Sequence, residues 1–395
     1  MPVTAPFMKT LASSCLAGVV LAGCATTRPA SSWQRTGDPI ADGKAAIEHG
    51  PKRDRVLWEY RTAAAAMRRG QFAEAKQLLD DALVTFGGIY GPDKDAKRAR
   101  SYFSPEARKT FMGEPYERVM AYYYRGILYW IDGELDNARA CFRSAQVMDS
   151  DTENKTYSSD YVLLDYLDGL ATAKLGGDGS DALKRAASEA RMARPPECDP
   201  KANVLFFVEC GNGPTKYATG QYAEQLRFLP GNSRVRSVRI KVDNESVRAD
   251  PYDDLTFQAT TRGGRVMDHI LANKAVFKSA TDTAGTAAII GGAIMAGHQG
   301  HHSAADEVGV GLLAAGVISK IFSAATTPAA DTRAWDNLPQ YLSFAALRLS
   351  PGQHSVTVEF LDAGGNPLPG LTRAVNIQVA DAPRDTVIFV SDKNQ

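Results

Sequence analysis

Residues 119–150, VMAYYYRGILYWIDGELDNARACFRSAQVMDS, decide how the first half of the chain folds. The small residue Gly126 would let two antiparallel helices approach closely, and the large residues Tyr129 and Phe142 would fill the space between them. Between them Gly133, in Asp-Gly-Glu, permits a turn. The stretch therefore predicts one helix–turn–helix unit.

This unit resembles a tetratricopeptide repeat (TPR), a helical pair of about 34 residues. The positions that match the small and large residues of that family are Gly126, Tyr129, Gly133, Ala138, Phe142 and Ala145. Residues 56–86 give a second match, and residues 161–194 give a degenerate third pair. A single unit buries little surface, so about three stacked pairs are just sufficient for a stable solenoid.

The composition is that of a globular chain with a sizeable core. It has 395 residues, of which 44% are hydrophobic and 23% are charged. This length is enough for about two or three domains. Lys plus Arg and Asp plus Glu are both 45, so the net charge is zero. Such a balance gives no electrostatic case for a nucleic acid partner.

The N-terminus predicts export and lipid attachment. Residues 1–23 have the short apolar run and small residues of a secretory signal peptide. Leu21-Ala22-Gly23-Cys24 resembles the bacterial lipobox, which implies that Cys24 is lipidated and begins the mature protein. The alternative is an ordinary cleaved signal in which Cys24 has no role. Residue Ala25 is not Asp, which favours the outer membrane, facing the periplasm. Residues 24–50 are rich in Ser, Thr, Pro and Gly and predict a flexible tether.

Three further cysteines follow the predicted signal and lipidation site. Cys141 falls within a helical pattern and is expected to be a small core residue. Cys198 and Cys210 are twelve residues apart, and a periplasmic location permits a disulfide between them. A bridge and two free thiols both remain open. The sequence contains no CxxC pair, the pattern that would indicate a zinc site or redox chemistry.

After Pro195-Pro196 the pattern changes from helical to strand-like. Apolar runs or strict alternation typical of strands occur at residues 203–209, 238–242, 356–360, 375–379 and 386–390. Short strands separated by turn signals suggest a β-sandwich. The predicted fold class is therefore α+β. A TPR-like α-helical repeat domain at 51–196 precedes a β-sandwich-like domain at 197–395, which carries a Gly/Ala-rich helical insertion at 264–330.

The insertion contains two apolar segments, residues 284–297 and 308–318. Each is shorter than the roughly 20 apolar residues that a membrane-spanning helix needs. Small residues four apart, as at Ala288, Gly292 and Ala296, allow close helix contacts. Two interpretations remain open. The segment 284–318 packs on the sandwich or forms a surface loop, or else it inserts into a membrane or drives self-association.

Several residues are of types that bind metals or take part in catalysis in other proteins, but their spacing here indicates structural roles. His298, His301 and His302 match no zinc spacing and are interpreted as a polar loop, so no metal is predicted. The sequence GNGPTK at 211–216 lacks the spacing of a phosphate-binding loop and is interpreted as a turn. Asp331-Thr-Arg-Ala-Trp335 is expected to anchor the returning chain. We predict no catalytic residue and no cofactor, and therefore not an enzyme.

The TPR resemblance also implies a site for a protein partner. In that family, first-helix positions face a concave groove that holds peptides. The positions of this chain that match them, expected to bind a partner, are Tyr60, Met67, Tyr123, Ile127 and Trp130. Aromatic side chains are good anchors at such interfaces.

The order of features along the whole chain resembles a family of bacterial outer-membrane lipoproteins with TPR-like repeats. The features are the lipobox, the repeat helices, and then a strand-rich half containing residues 213–216, 331–335, 338–339 and 349–352. The resemblance carries no activity with it. It implies a non-catalytic, lipid-anchored scaffold or adaptor that meets an envelope protein. The alternatives are a self-assembling or membrane-inserting component that uses residues 284–318 and forms homo-oligomers, and an enzyme acting on glycan or lipid.

Overall fold

The computed structural model describes residues 35–89, 109–150, 157–243, 245–261, 329–381 and 383–393. Within them the chain is α+β, as predicted, with all but one of the described helices in the first half and every described strand in the second. The signal peptide with Cys24, the segment 284–318 and the three histidines from 298 to 302 lie outside the described residues. The expectations for these regions therefore stay predictions.

The helical half contains three helix pairs where the sequence predicts them. The helices are α1 Pro39–His49, α2 Arg55–Arg68, α3 Phe72–Ile89, α4 Pro115–Asp132, α5 Leu135–Asp149, α6 Val162–Lys174 and α7 Ser180–Ser188, with a short 3-10 turn at Lys52–Asp54. The pairs are α2 with α3, α4 with α5, and α6 with α7. Their assignment to the TPR type stays a prediction. None of the described helices is long and apolar enough to cross a membrane.

The central pair α4–α5 forms for the reasons that its sequence suggests. Gly133 ends α4 with φ 82°, a left-handed conformation that glycine adopts at no steric cost. A Cβ atom at Gly126 would lie 2.5 Å from the ring of Phe142, so only glycine allows this approach of the two helices. At the other end, Glu114 and Glu117 form a capping box that satisfies the first backbone N–H groups of α4.

The predicted tether does not extend to residue 50, because α1 begins at Pro39. Asp38 caps this helix by accepting hydrogen bonds from the backbone of Ile40 and Ala41, at 2.9 and 2.8 Å. Ile40 and Ala46 are buried in the core of the helical half. The Ser/Thr/Pro/Gly composition of residues 24–50 concealed this start signal, an Asp followed by Pro.

The described residues contain ten strands, which form two four-stranded sheets and one hairpin. They are β1 Val204–Cys210, β2 Thr215–Thr219, β3 Gln225–Leu229, β4 Ser237–Val242, β5 Glu245–Ala249, β6 Pro251–Asp254, β7 Tyr341–Leu347, β8 Gly352–Leu361, β9 Arg373–Val379 and β10 Thr386–Ser391. The first sheet has the order β10-β1-β7-β6 and the second the order β5-β4-β8-β9, while β2 and β3 form the hairpin. A short helix, α8 Leu255–Thr260, follows β6.

Strand β1 lies between two apolar clusters. Its side chains alternate: Leu205 and Phe207 pack with the helices, whereas Phe206 and Val208 pack with the second sheet. All four are buried. Helices therefore cover one face of the first sheet and the second sheet shares an apolar cluster with the other face. The predicted boundary near residue 196 separates helices from strands, but the two halves share one core.

Candidate functional site at the helix–sheet interface

The five side chains expected to line an open groove are buried in this shared core. Each of them, at positions 60, 67, 123, 127 and 130, is at most 1% exposed. The ring of Tyr60 stacks on Trp335 at 4.5 Å, and the rings of Tyr123 and Trp130 lie 6.4 and 6.2 Å from Phe207 of β1. This corrects the expectation of a peptide groove, because the chain's own sheet occupies the inner face of the helices.

One buried ion pair joins this helical layer to the β2–β3 hairpin. Lys216 of β2 donates to Glu117 Oε2 at 2.5 Å, and both side chains are at most 2% exposed. The other carboxylate oxygen, Oε1, accepts from the backbone N–H of Trp335 at 2.7 Å. Oε2 also accepts from the backbone of Glu114 at 2.6 Å. One carboxylate thus holds three parts of the chain together.

Burial and pairing act in opposite directions on these two charges. Burial raises the pKa of Glu117 above its ordinary value, against the attraction of Lys216. Burial also lowers the pKa of Lys216, against the attraction of Glu117. The ammonium group of Lys216 also donates to the backbone oxygen of Arg333 at 3.0 Å and lies 5.4 Å from the ring centre of Phe111, but neither of these groups carries a negative charge. Each charge therefore depends on the other.

The segment at residues 331–335 anchors the returning chain, as predicted. Arg333 pairs with Asp331 and with Asp54 of the 3-10 turn, each at 2.6 Å. It also donates to the backbone oxygen of Lys109 at 2.9 Å. These contacts tie the strand-rich half to the start of the helical layer, and the stacked ring of Trp335 adds an apolar contact.

A second buried cluster surrounds Glu209 at the end of β1. Arg68 of α2 and the hydroxyl of Tyr124 of α4 each donate to its carboxylate at 2.5 Å. Arg68 also donates to the backbone oxygen of Asn337 at 2.7 Å. Burial alone would raise the pKa of Glu209, but the attraction of Arg68 and the two hydrogen bonds hold it below its ordinary value. This carboxylate is therefore a charged link between two helices and the sheet.

Lys393 completes the second cluster from the strand-rich side. Its ammonium group donates to the backbone oxygens of Asn337 and Leu338, at 3.1 and 2.9 Å. Burial and the nearby charge of Arg68 lower its pKa to about 8. Lys393, two residues past the end of β10, thus bonds to the segment that also accepts a hydrogen bond from Arg68.

An open cavity of about 390 Å³ lies beside the first cluster. Its lining consists of Asp54, Leu57, Trp58, Arg61, Thr215, Lys216, Thr332, Arg333, Ala334 and Asp336. The cations in this wall are engaged by the chain itself: Arg61 donates to the backbone of Ala334 and to Asp336, each at 2.8 Å. The wall thus contains three cationic side chains whose charges are balanced by neighbouring carboxylates.

The three cysteines in the described part of the chain form no bridge, which excludes the disulfide alternative for Cys198 and Cys210. Cys141, Cys198 and Cys210 are free thiols. Cys210 lies in the cluster between the two sheets, whereas Cys198 packs against the helix-side core, so they lie on opposite faces of the first sheet. Burial raises the pKa of Cys141 to about 11 and raises that of Cys210 further. In the described part of the chain, no group of three His, Cys, Asp or Glu residues is placed to hold a metal ion.

Sequence reasoning missed both buried clusters. Lys216 belongs to GNGPTK, which we interpreted as a turn, but it lies in β2 with its side chain in the core. Glu117 has a local signal, a Glu three residues after the capping position Glu114, although that signal predicts only the capping box. Nothing near Glu209 in sequence indicates Arg68, which is 141 residues away.

Comparisons with known proteins identify no family for the chain. No protein-family model matches it, and no curated protein or solved structure matches it significantly. Function is therefore inferred from the sequence and from the geometry of these clusters.

Proposed function

We propose that this chain is a non-catalytic lipoprotein of the bacterial outer membrane that serves as a protein-interaction scaffold on the periplasmic side. The lipobox at residues 21–24 supports the anchor. The three helix pairs support a TPR-like repeat layer, and the two four-stranded sheets with a common core support a β-sandwich-like half. The order of these parts supports membership in the family of outer-membrane lipoproteins with TPR-like repeats.

The observation that carries this proposal is the sealed interface between helices and sheet. The pair Glu117–Lys216 and the cluster at Glu209 hold the two halves together inside a shared core. Buried, fully engaged charges are costly to separate, so the halves act as one rigid body. A rigid body on a lipid tether presents a fixed surface to a partner in the periplasm.

The surface left for a partner is the outer side of the helical layer. Val84 of α3 and Val147 of α5 are 75% and 61% exposed, more than any other large apolar side chain in the described residues. Both belong to second helices of their pairs. Lipid confinement raises the effective concentration near the membrane, so two modest apolar anchors suffice for binding there.

In-cell crosslinking of a C-terminally tagged protein, followed by mass spectrometry, tests the proposal. We expect one discrete envelope partner, lost both with Cys24→Ala and with the double variant Val84→Glu/Val147→Glu. The matched control is Met192→Glu, which adds the same charge at an apolar side chain that is 48% exposed but lies outside α3 and α5. The proposal fails if no partner is captured, or if the double variant captures it as well as the control does. Self-crosslinks confined to residues 284–318 would favour the self-assembling or membrane-inserting alternative.

A further inference from the structure

Strand β9 is an edge strand without the usual protection against pairing. It spans seven residues, Arg373–Val379, and its one neighbour in the sheet is β8. The pairing with β8 runs without a register shift. After Arg373 the strand reads Ala-Val-Asn-Ile-Gln-Val, with no charge, proline or glycine. Such an edge presents a row of outward N–H and C=O groups to any matching strand.

The other edges of the two four-stranded sheets are protected. β5 carries the exposed charges Glu245 and Arg248. β6 has four residues, begins with Pro251 and contains a register shift. None of the six residues of β10 is exposed. Among the described strands of these sheets, β9 alone combines length, regular register, exposure and lack of internal charge.

An apolar side chain on β9 lacks the cover that its neighbours have. Val375, Ile377 and Val379 lie on the same side of the strand, because side chains alternate. Ile377 and Val379 are buried in the cluster between the sheets. Val375 is 37% exposed. An added strand would cover it from the open side.

We propose that β9 pairs antiparallel with β9 of a second copy of this chain, about a twofold axis at Asn376. This register pairs all seven residues, because Asn376 is the middle of the strand, and it joins two four-stranded sheets into one of eight strands. Val375 then lies opposite the buried side chain at position 377 of the other copy. Both cores remain on the same side of the joined sheet, since residues of equal parity are paired.

The charges at the ends of the strand fit the same register. Arg373 lies opposite the uncharged Val379 of the other copy. The exposed Asp381 follows two residues later, just past the end of the strand, within diagonal reach of Arg373. The twofold axis repeats this contact at the other end. An antiparallel self-pairing therefore brings opposite charges together at both ends and no like charges face to face. The proposal does not depend on the scaffold role or on residues 284–318.

Disulfide trapping of the full-length protein in detergent tests the register. Asn376→Cys should give a disulfide-linked dimer on oxidation, because the two residues are directly opposed. Ala374→Cys is the matched control on the same face. It lies four residues from its counterpart, about 14 Å along the strand, beyond the roughly 7 Å between Cα atoms that a disulfide spans. A mixture of Ala374→Cys with Gln378→Cys should crosslink as a heterodimer, and the wild-type chain reports the background.

Light scattering of the same preparations tests the association without a crosslink. Wild type and Asn376→Thr should have the mass of a dimer, whereas Asn376→Lys, which places two cations opposite each other, should have half that mass. Asn376 is exposed, so neither substitution disturbs the core. Three results would overturn the proposal: a monomeric wild type, a dimer that Asn376→Lys leaves intact, or trapping of Asn376→Cys no stronger than that of Ala374→Cys. Crosslinking of Asn376→Cys to a different protein in cells would also overturn the proposal, because that protein, and not a second copy of this chain, would then pair with β9.

Discussion

Substitution of Lys216 by Met should destabilise the fold strongly, because it leaves the buried carboxylate of Glu117 without its counter-charge. Breaking one side of a buried ion pair costs about 3–5 kcal/mol. The backbone N–H groups of Trp335 and Glu114 continue to donate to the carboxylate, so the lower end of that range is expected. Methionine fills a similar volume, which keeps the cavity contribution small.

The double variant Glu117→Gln/Lys216→Met should recover part of this loss. It removes both charges, but the glutamine amide offers one acceptor oxygen where the carboxylate served two backbone N–H groups. Leaving one buried N–H group without an acceptor costs about 1–3 kcal/mol. The two single substitutions should therefore be non-additive, with a coupling free energy of up to about 3 kcal/mol.

Urea unfolding, followed by the fluorescence of the buried Trp130 and Trp335, measures these free energies. The control is Lys241→Met, whose partner Glu359 lies 2.6 Å away in a pair where Lys241 is 46% exposed. An exposed pair of this kind contributes at most about 1 kcal/mol. The reasoning is refuted if Lys216→Met loses no more stability than this control, or if the double variant loses the full sum of the single losses.

Three further predictions concern packing and pH. Gly126→Ala should lower the free energy of unfolding by about 1–3 kcal/mol, because the added methyl group meets the ring of Phe142. The melting temperature should fall accordingly, and an unchanged melting temperature would contradict this packing. Trp130→Ala should lower the free energy of unfolding by about 3–5 kcal/mol, because the indole is buried and donates a hydrogen bond to Asp385 at 2.8 Å. Limited proteolysis should become faster in this variant. A variant as stable as wild type would show that this ring is not part of the core. Burial raises the pKa of Asp253 to about 7, so its contribution to stability is present at low pH and is lost as the pH rises through 7. The stability of wild type relative to Asp253→Asn should therefore fall between pH 4 and 8 in urea titrations, and a difference that rises would contradict this sign.

Local patterns in the sequence predict the elements with a strong period or a required turn. The strict alternation at residues 238–242 and 356–360 corresponds to β4 and β8. The left-handed Gly133 and the close packing at Gly126 follow from single residues that no other side chain replaces. These features are local, so one sequence is enough to show them.

Elements whose pattern is weak or hidden were missed. β7, YLSFAAL, has both faces against apolar clusters, and a buried strand of that kind lacks alternation. β5, ESVRA, carries charges suited to an edge strand, and β6 has only four residues. α1 was masked by a composition typical of a linker. In each case a tertiary contact outweighs the local signal.

The candidate site could not be predicted because its parts meet only in the folded chain. Lys216 reaches Glu117 across 99 residues, and no spacing rule connects them. The TPR resemblance assigned Tyr60 and Trp130 to an open groove, since it describes helices alone. The strand-rich half fills that space, which a comparison of helix positions does not reveal.

The first sheet can form fully only after β10 has been synthesised, because β10 is one of its edge strands. β10 pairs in parallel with β1, and Val204 lies beside Thr386, 182 residues later in the chain. During synthesis the helices and β1 emerge before β10, so the α4 ring that packs on β10 and one edge of β1 are still uncovered. Contacts this distant in sequence form slowly. Until β10 arrives, the newly made chain therefore exposes the same surfaces that are later most deeply buried.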